Sequence, residues 1–500
     1  MQGPIGPRGT SIVLLQDLAT DLDSLPLGET AFAQQANARE GRRCESLGDV
    51  RYDQLRPYTI DGPSFQEMRV PRQSLGTSEI YFYYELTLTM NRLFCLVIAT
   101  LGVFPAIATC ADPVMNDEVR WWKGNLHTHS LWSDGDQFPE MIADWYREQG
   151  YQFLALTDHN VLSEGTRWMG VQKIVARSDD GIVDRYRERF GDHWVQQRAN
   201  PETGDQEVRL KPLDEFRHLV EERGRFIMIP AEEISDRSEG KPVHINATNL
   251  AEVIAPAGGA TVREAMQNNL RIILEHEKAH GREVLPHINH PNFGYAMTAE
   301  DLAAVVSERF FEVYNGHPGV NQLGDKDHPS IETMWDQINA IRCGIAGVAP
   351  IMGLATDDSH EYHGKPGSRP GRGWVMVRSR FLTPEHLIRA MKRGDFYASS
   401  GVTLDDVRFD ESSRKLTLEI QAQDGVSYRT DFIATLKGDA TDHDRIGVVI
   451  SSHEGTSASY QMTGKELYVR ALVTSDQPHV DPSFKDQMQQ AWTQPVGWSK

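Results

Sequence analysis

The stretch His127-Thr128-His129-Ser130-Leu131-Trp132-Ser133-Asp134-Gly135 constrains this chain more than any other. Side chains alternate along a strand, so two histidines one residue apart project to the same side and can share one metal ion. Ser133-Asp134-Gly135 then turns the chain and offers a carboxylate nearby. The spacing predicts a helix from Pro139 to Gln149, with proline near its start and Gly150 after its end. Next, Tyr151-Gln152-Phe153-Leu154-Ala155-Leu156-Thr157 is a short apolar run that reads as a buried parallel strand, and it ends in Asp158-His159-Asn160. This is a βαβ unit with metal-binding side-chain types at the carboxyl ends of both strands, where parallel α/β folds place their active sites. The residues alone give the fold class: parallel α/β.

The same texture, an apolar run closing on polar residues, recurs downstream. Phe226 to Pro230 runs into Ala231-Glu232-Glu233-Ile234-Ser235, and Val243-His244-Ile245-Asn246-Ala247 is a further strand. A covering helix is expected over Thr261 to His280, with Met266, Leu270, Ile273 and Leu274 inward. After it come Leu285-Pro286-His287-Ile288-Asn289-His290-Pro291, Phe310-Phe311-Glu312-Val313-Tyr314-Asn315-Gly316-His317, and Val348 to Ala355 leading into Thr356-Asp357-Asp358-Ser359-His360. Residues 161–225 break this rhythm with a charged, helix-patterned insertion (Pro212 to Arg223 among its helices), long enough to act as a lid or specificity region.

In this order, H-x-H, S-D-G, T-D-H, a strand-end Glu in P-A-E-E-I-S (the family pattern is P-G-x-E-x-S, with Ala231 standing for Gly), a strand histidine, H-P and D-x-H resemble the PHP family of polymerase and histidinol phosphatase metal-dependent phosphoesterases. The resemblance covers roughly Trp121 to Gly401. It implies a distorted (β/α)7 barrel and nine metal ligands: His127, His129, Asp134, His159, Glu233, His244, His290, Asp358 and His360. It also implies three ions. One would be held by His127, His129, Glu233 and Asp358, a second by Glu233, His244 and His290, and a third by Asp134, His159 and His360. His287 is the runner-up to His290 or its supporting partner. For His317 two readings stay open, substrate contact or loop cap.

Imidazole with carboxylate suits Zn, Mn or Fe(II), and no thiolate is present to make a closed structural site. The implied chemistry is hydrolysis of a phosphate ester by metal-activated water, with Glu233, Asp358, His360 and Arg372 as catalytic residues. No Ser-His-Asp set or G-x-S-x-G nucleophile motif is visible. Arg369, Arg372, Arg378 and Lys241 are candidate phosphate clamps, with Arg372, between two glycines, preferred. Two rivals stand beside this reading: an amide-type metallohydrolase on the same barrel, and a noncatalytic binding protein of the cell envelope.

A net charge of −20 and a pI near 5.4 argue against a nucleic-acid surface. The resemblance implies a small phosphorylated substrate, which bound metals would attract despite nearby carboxylates, and the absence of an evident basic groove favours a monoester over a diester. Residues 1–89 are rich in Gly, Pro, Arg and Gln and read as a non-native or disordered extension. Residues 90–111 combine Met90-Asn91-Arg92, an apolar run from Leu93 to Ala108 and small residues around Ala106 to Ala111, the pattern of a signal peptide. A signal anchor is its alternative, and a lipid anchor on Cys110 a further one. A periplasmic or secreted address follows. Cys44, Cys95, Cys110 and Cys343 form no C-x-x-C pair and no disulfide framework. Residues 112–401 are read as the metallohydrolase domain. From residue 402 to 500 alternating runs such as Lys415 to Ile420 and Leu467 to Val473 predict a small all-β sandwich, with Trp492 and Trp498 packing it or its seam rather than binding sugar.

Overall fold

The computed structural model describes residues 118–499; the readings made for residues 1–89, for the leader at 90–111 and for Cys110 lie outside them. Strand β1 (Arg120–Asn125) is followed by helix α1 (Pro139–Glu148) and strand β2 (Phe153–Leu156), which pairs parallel with β1. The helix begins at the expected proline, and its apolar side, Ile142, Ala143 and Tyr146, is fully buried.

The 161–225 insertion carries β3 (Arg167–Gly170), α2 (Val171–Arg177), α3 (Ile182–Phe190), β4 (Gln197–Ala199), β5 (Gln206–Leu210) and α4 (Leu213–Val220). It is therefore not purely helical: β3, β5 and β4 form their own antiparallel sheet. Met169, Ile174, Ile182, Tyr186, Val208 and Leu210 pack together with Leu131, Trp132 and Phe138. The insertion is thus anchored on the segment between the two metal-binding motifs, and the Trp132 indole donates to Lys211 O at 3.1 Å.

Strands β6 (Ile227–Ser238) and β7 (Lys241–Thr248) form a hairpin. Glu239 and Gly240 both take positive φ (52° and 75°), as a tight two-residue turn requires. Then come α5 (Val262–His280), β8 (Leu285–Ile288), α6 (Ala299–Ala304), β9 (Phe310–Asn315), α7 (Ile331–Asn339) with a π-helical turn at Ala340–Ala346, and β10 (Met352–Thr356). Helix α5 starts on Thr261, whose side chain accepts the Glu264 N–H, and buries Met266, Leu270 and Ile273 against Ile245 and Ala247. Leu274, expected on the same face, is 40% exposed.

The chain continues through β11 (Trp374–Ser379), α8 (Pro384–Lys392), β12 (Phe396–Ser399), β13 (Leu404–Asp410), β14 (Lys415–Ile420), β15 (Tyr428–Leu436), β16 (Val448–Glu454), β17 (Ser457–Gln461), β18 (Glu466–Pro478) and β19 (Met488–Thr493). One 13-stranded sheet runs β10-β9-β8-β7-β6-β2-β1-β11-β12-β19-β18-β15-β16. It is mixed, which corrects the parallel expectation. β7 runs antiparallel to both its neighbours, because a two-residue turn can only return the chain antiparallel, and β11 runs antiparallel to β1. β1 and β10 are not neighbours in the sheet order, yet the segments just past them meet through a parallel bridge between Thr128 and Ser359, with His129 N–H to Ser359 O at 2.9 Å.

The C-terminal strands divide. β15, β16, β18 and β19 prolong the large sheet, while β13, β14 and β17 form a separate one. Leu416, Leu418 and Ile420 of the small sheet share a core with Phe432, Val469, Ala471 and Val473 of the large one. Trp492 is 1% exposed and stacks on Tyr314 of β9 with ring centroids 5.8 Å apart, so it packs β19 against β9 within the core.

Candidate metal centre

All nine expected ligands converge in one place: His127, His129, His159, His290, Asp358 and His360 lie in the segments just past their strands, Asp134 in the turn after the first of these, and Glu233 and His244 within β6 and β7. Strand pairing explains the convergence. The bridge between Thr128 and Ser359 sets the His127–His129 segment beside Asp358, and a bridge between His159 and Glu233 sets the segment after β2 beside β6. In the hairpin His244 lies opposite Ser235 and Asn246 opposite Glu233, which puts the His244 ring against the Glu233 carboxylate.

Asp358 Oδ1 lies 3.2 Å from Nε2 of both His127 and His129. Glu233 stands at the middle: Oε1 is 3.5 Å from His127 Nε2, 2.9 Å from His244 Nδ1 and 3.4 Å from His290 Nε2, and Oε2 is 3.5 Å from His129 Nε2 and 2.7 Å from His159 Nδ1. At the outer end Asp134 reaches His159 and His360 at 3.4 Å and His129 at 3.6 Å. Each residue can offer one donor atom in compact groups: His129 with Asp134, His159 and His360; His127 with Glu233 and His290; His127 with His129 and Asp358; His159 with Glu233 and His244.

The donor atoms themselves ask for cations. His127 Nε2, His129 Nε2, Glu233 Oε2 and His244 Nδ1 are buried without a hydrogen-bond partner among the described residues, although oppositely charged groups stand within a few ångströms. Buried polar atoms are rarely left so, and several together aimed at a common space fit ions between them.

Charge follows from the same geometry. Burial opposes the ionised form of Glu233, but His244, His159 and His127 outweigh it and hold the carboxyl well below its usual range. Asp358 is lowered in the same way by His127, His129 and His360 against burial. Burial also works against charge on His159 and His360, yet Glu233 and Asp134 lift the first to about 11, and Asp134 with Asp358 the second to about 9. His129, with burial and the charge of His360 against it, falls to about 3. Without metal, His159 and His360 are thus favoured in their protonated form, and an ion held by either ring would displace that proton.

Supporting residues fix the ligands. His127 Nδ1 bonds to Glu312 at 2.7 Å, leaving Nε2 free to ligate. Glu312 also accepts the His290 N–H, an Asn315 amide N–H and the Thr356 hydroxyl. Asn289 donates to Glu233 Oε1 at 2.8 Å and Asn315 to Asp358 Oδ2 at 3.1 Å. His360 Nδ1 bonds to Asp358 O at 2.9 Å, which turns its Nε2 to Asp134. Asp158 receives Ser130 N–H and the hydroxyls of Ser130 and Ser133, shaping the turn that carries Asp134. In that turn a side chain on Gly135 would come within 2.5 Å of His129 O. His290 (φ 23°) and Asp358 (φ 50°) adopt left-handed backbone, a local cost borne at two ligands.

Glu312, Asn289 and Asn315 were not singled out by sequence reasoning. The signal available was position: Asn289 directly precedes His290 of the H-P motif, and Glu312 and Asn315 are the polar residues of an otherwise apolar strand. His287 is fully buried and sits 3.5 Å from Glu312 rather than against Glu233 or Asp358, so it supports rather than competes with His290. Glu232 faces the other way and accepts the Ile254 N–H at 2.6 Å. His317 caps its loop, accepting the Gly319 N–H at 2.9 Å, and also stands 5.7 Å from the His360 ring.

The preferred phosphate clamp is corrected. Arg372 is 3% exposed, and its guanidinium is spent on Asp481, Gly316 O and Gly367 O. It anchors the turn following the last motif, with its Nε, Nη1 and Nη2 nitrogens all engaged by acceptors of the protein itself. Arg369 is bound to Asp481 as well, and Arg378 to Asp406 and Val407 O. Lys241 sits exposed at the end of the hairpin.

No family model matches the chain. It is 39% identical over 54 residues to the DNA polymerase/3'-5' exonuclease PolX of Bacillus subtilis, a stretch covering 11% of this chain and 10% of that protein. Among solved structures it is similar to a two-domain protein from Bacteroides vulgatus that contains a predicted PHP-like metal-dependent phosphoesterase. The identity is 14%, the match covers 75% of this chain and 95% of that one, and the TM-score is 0.33. A second, a candidate metal-dependent phosphoesterase from Bifidobacterium adolescentis, is 13% identical over 49% of this chain and 90% of its own, with a TM-score of 0.25.

Proposed function

We propose that this chain is a metal-dependent phosphoesterase in which nine converging ligands would hold three divalent ions, and which hydrolyses a small phosphate ester, a monoester in preference to a diester. The observation that supports this best is the set of buried, unpartnered donor atoms on His127, His129, Glu233 and His244 around one space. His127, His129, Glu233 and Asp358 would hold one ion, Glu233 with His244 and His290 a second, and Asp134 with His159, His360 and the neighbouring His129 a third. Zn, Mn and Fe(II) all suit these nitrogen and oxygen donors. Bound divalent ions supply Lewis acidity, activating water as the nucleophile and offsetting charge on the phosphoryl group. The chain's own residues orient this chemistry: Glu312 and Asn289 fix the rings and carboxylates, and buried Glu233 is kept ionised so that it can bridge.

The proposal extends to architecture and address. We read β1, β2 and β6 to β10 as a seven-stranded PHP barrel, supported by the bridge from Thr128 to Ser359. Residues 402–500 are read as an appended β-sandwich, and the leader at 90–111 as directing export.

Elemental analysis of purified protein, paired with phosphate release from a panel of small esters, tests the reading. About three equivalents of metal with turnover supports it. Full metal loading with amide but no ester cleavage replaces it with the amide rival. Folded protein that binds no metal rejects it.

A further inference from the structure

One apolar side chain borders the ionic cluster. Phe293, just past the H-P motif, is 36% exposed. Its ring centroid lies 5.3 Å from that of His290 and 5.8 Å from that of His317, and His317 lies 5.7 Å from His360. Four rings thus form a continuous wall that starts at one candidate ligand and ends at another. The open surface of that wall includes the Phe293 ring.

The wall is built, not loose. Phe293 N–H donates to His290 O at 2.8 Å, and its backbone bridges to Val320. A side chain on Gly319 would meet His317 Cε1 at 2.8 Å and the Phe293 ring at 3.2 Å, so glycine lets this turn close on both rings. His317 Nδ1 accepts the Gly319 N–H, which leaves the ring proton on Nε2 as a donor. A single exposed phenylalanine is ordinary on a protein surface. Here it stands beside ionic ligands, where an apolar face does nothing for metal and has one chemical use: contact with the organic part of what the metals bind. Aromatic faces favour flat rings through stacking and edge contacts.

We propose, resting on the phosphoesterase reading, that Phe293 and His317 form the subsite for the organic part of the substrate, and that this part is a planar aromatic ring adjoining the phosphate. Phe293 gives the ring its apolar contact, and His317 Nε2–H is placed to donate to an oxygen next to it.

The test compares kcat/KM for phenyl phosphate and glycerol phosphate in the metal-loaded full chain. Phe293→Ala should lower the phenyl-to-glycerol ratio roughly tenfold, as expected for loss of one aromatic contact. Phe293→Trp should keep the ratio, and Phe293→Leu, which retains bulk without the ring, should fall between. An unchanged ratio in Phe293→Ala overturns the proposal. Calorimetric binding of phenylphosphonate against methylphosphonate reads the same subsite without turnover. If the wild type hydrolyses neither ester, the phosphoesterase reading fails. The subsite would still stand on tighter phenylphosphonate binding that Phe293→Ala abolishes, and would fall on equal affinities.

Discussion

Glu312 accepts a hydrogen bond from Nδ1 of His127 at 2.7 Å, and neither side chain reaches solvent. The bond fixes which nitrogen of His127 faces the cluster, and the other Glu312 oxygen takes the backbone N–H of His290. One carboxylate therefore orients two ligands from different strands. Glu312→Gln should weaken metal binding by about 10–100-fold while the folded state persists. A metal titration followed by elemental analysis checks this; wild-type affinity in the variant would show that Glu312 does not position the ligands.

Asp134 is the candidate ligand nearest solvent, its side chain 50% exposed; it accepts the Ser133 hydroxyl and faces His129, His159 and His360. Asp134→Ala should lower metal content by about one equivalent and leave the inner ions in place. Loss of all metal would mean that the cluster loads as a single unit.

Metal-free protein should lose stability as pH rises. The folded pKa values of His360 and His159 are raised to about 9 and about 11 by neighbouring carboxylates. Their contribution is full below the unfolded value of about 6.5 and disappears as pH climbs through the folded values. Buried Glu308, lifted by burial to about 8, acts with the same sign from the ordinary carboxylate range upward. Thermal melts of apo protein between pH 6.5 and 9 should show a falling Tm, and metal should reverse the trend because it replaces the protons. A flat apo profile would contradict the assigned charge states.

Arg372 holds Asp481, Gly316 and Gly367 together around the turn after the last motif. Arg372→Ala should cost about 2–3 kcal/mol of stability, since buried acceptors lose a charged donor. KM for a phosphate ester should stay near wild type once metal is bound. A large rise in KM with normal stability would restore a phosphate-binding role.

Asp336 on α7 receives Arg470 of β18 through two nitrogens, at 2.9 and 2.6 Å, and the Tyr468 hydroxyl at 2.8 Å. Asp336→Ala leaves Arg470 buried without its main counter-charge and should destabilise by about 3–5 kcal/mol. Denaturant unfolding measures this. A loss below about 1 kcal/mol would mean that the seam is held by apolar packing alone.

What the sequence determined by itself was local. Side-chain alternation in a strand fixes that His127 and His129 point the same way, and short apolar runs before Asp158-His159, Glu233, His290 and Asp358 mark strands whatever lies beside them. The helix beginning at Pro139 was legible from such local signals, while the set of nine candidate ligands came from the order of the motifs and their family resemblance. Tertiary structure decided what depends on which strands become neighbours. Alternation cannot say that the turn at Glu239-Gly240 sends β7 back antiparallel, nor that β12 joins β19 and so draws the C-terminal strands into the large sheet. It cannot tell a buried orienting carboxylate such as Glu312 from a core-facing polar residue. Nor can it reveal that the arginine with the most suggestive position, Arg372, is buried and turned to acceptors near it in space, one of which, Asp481, is remote in sequence.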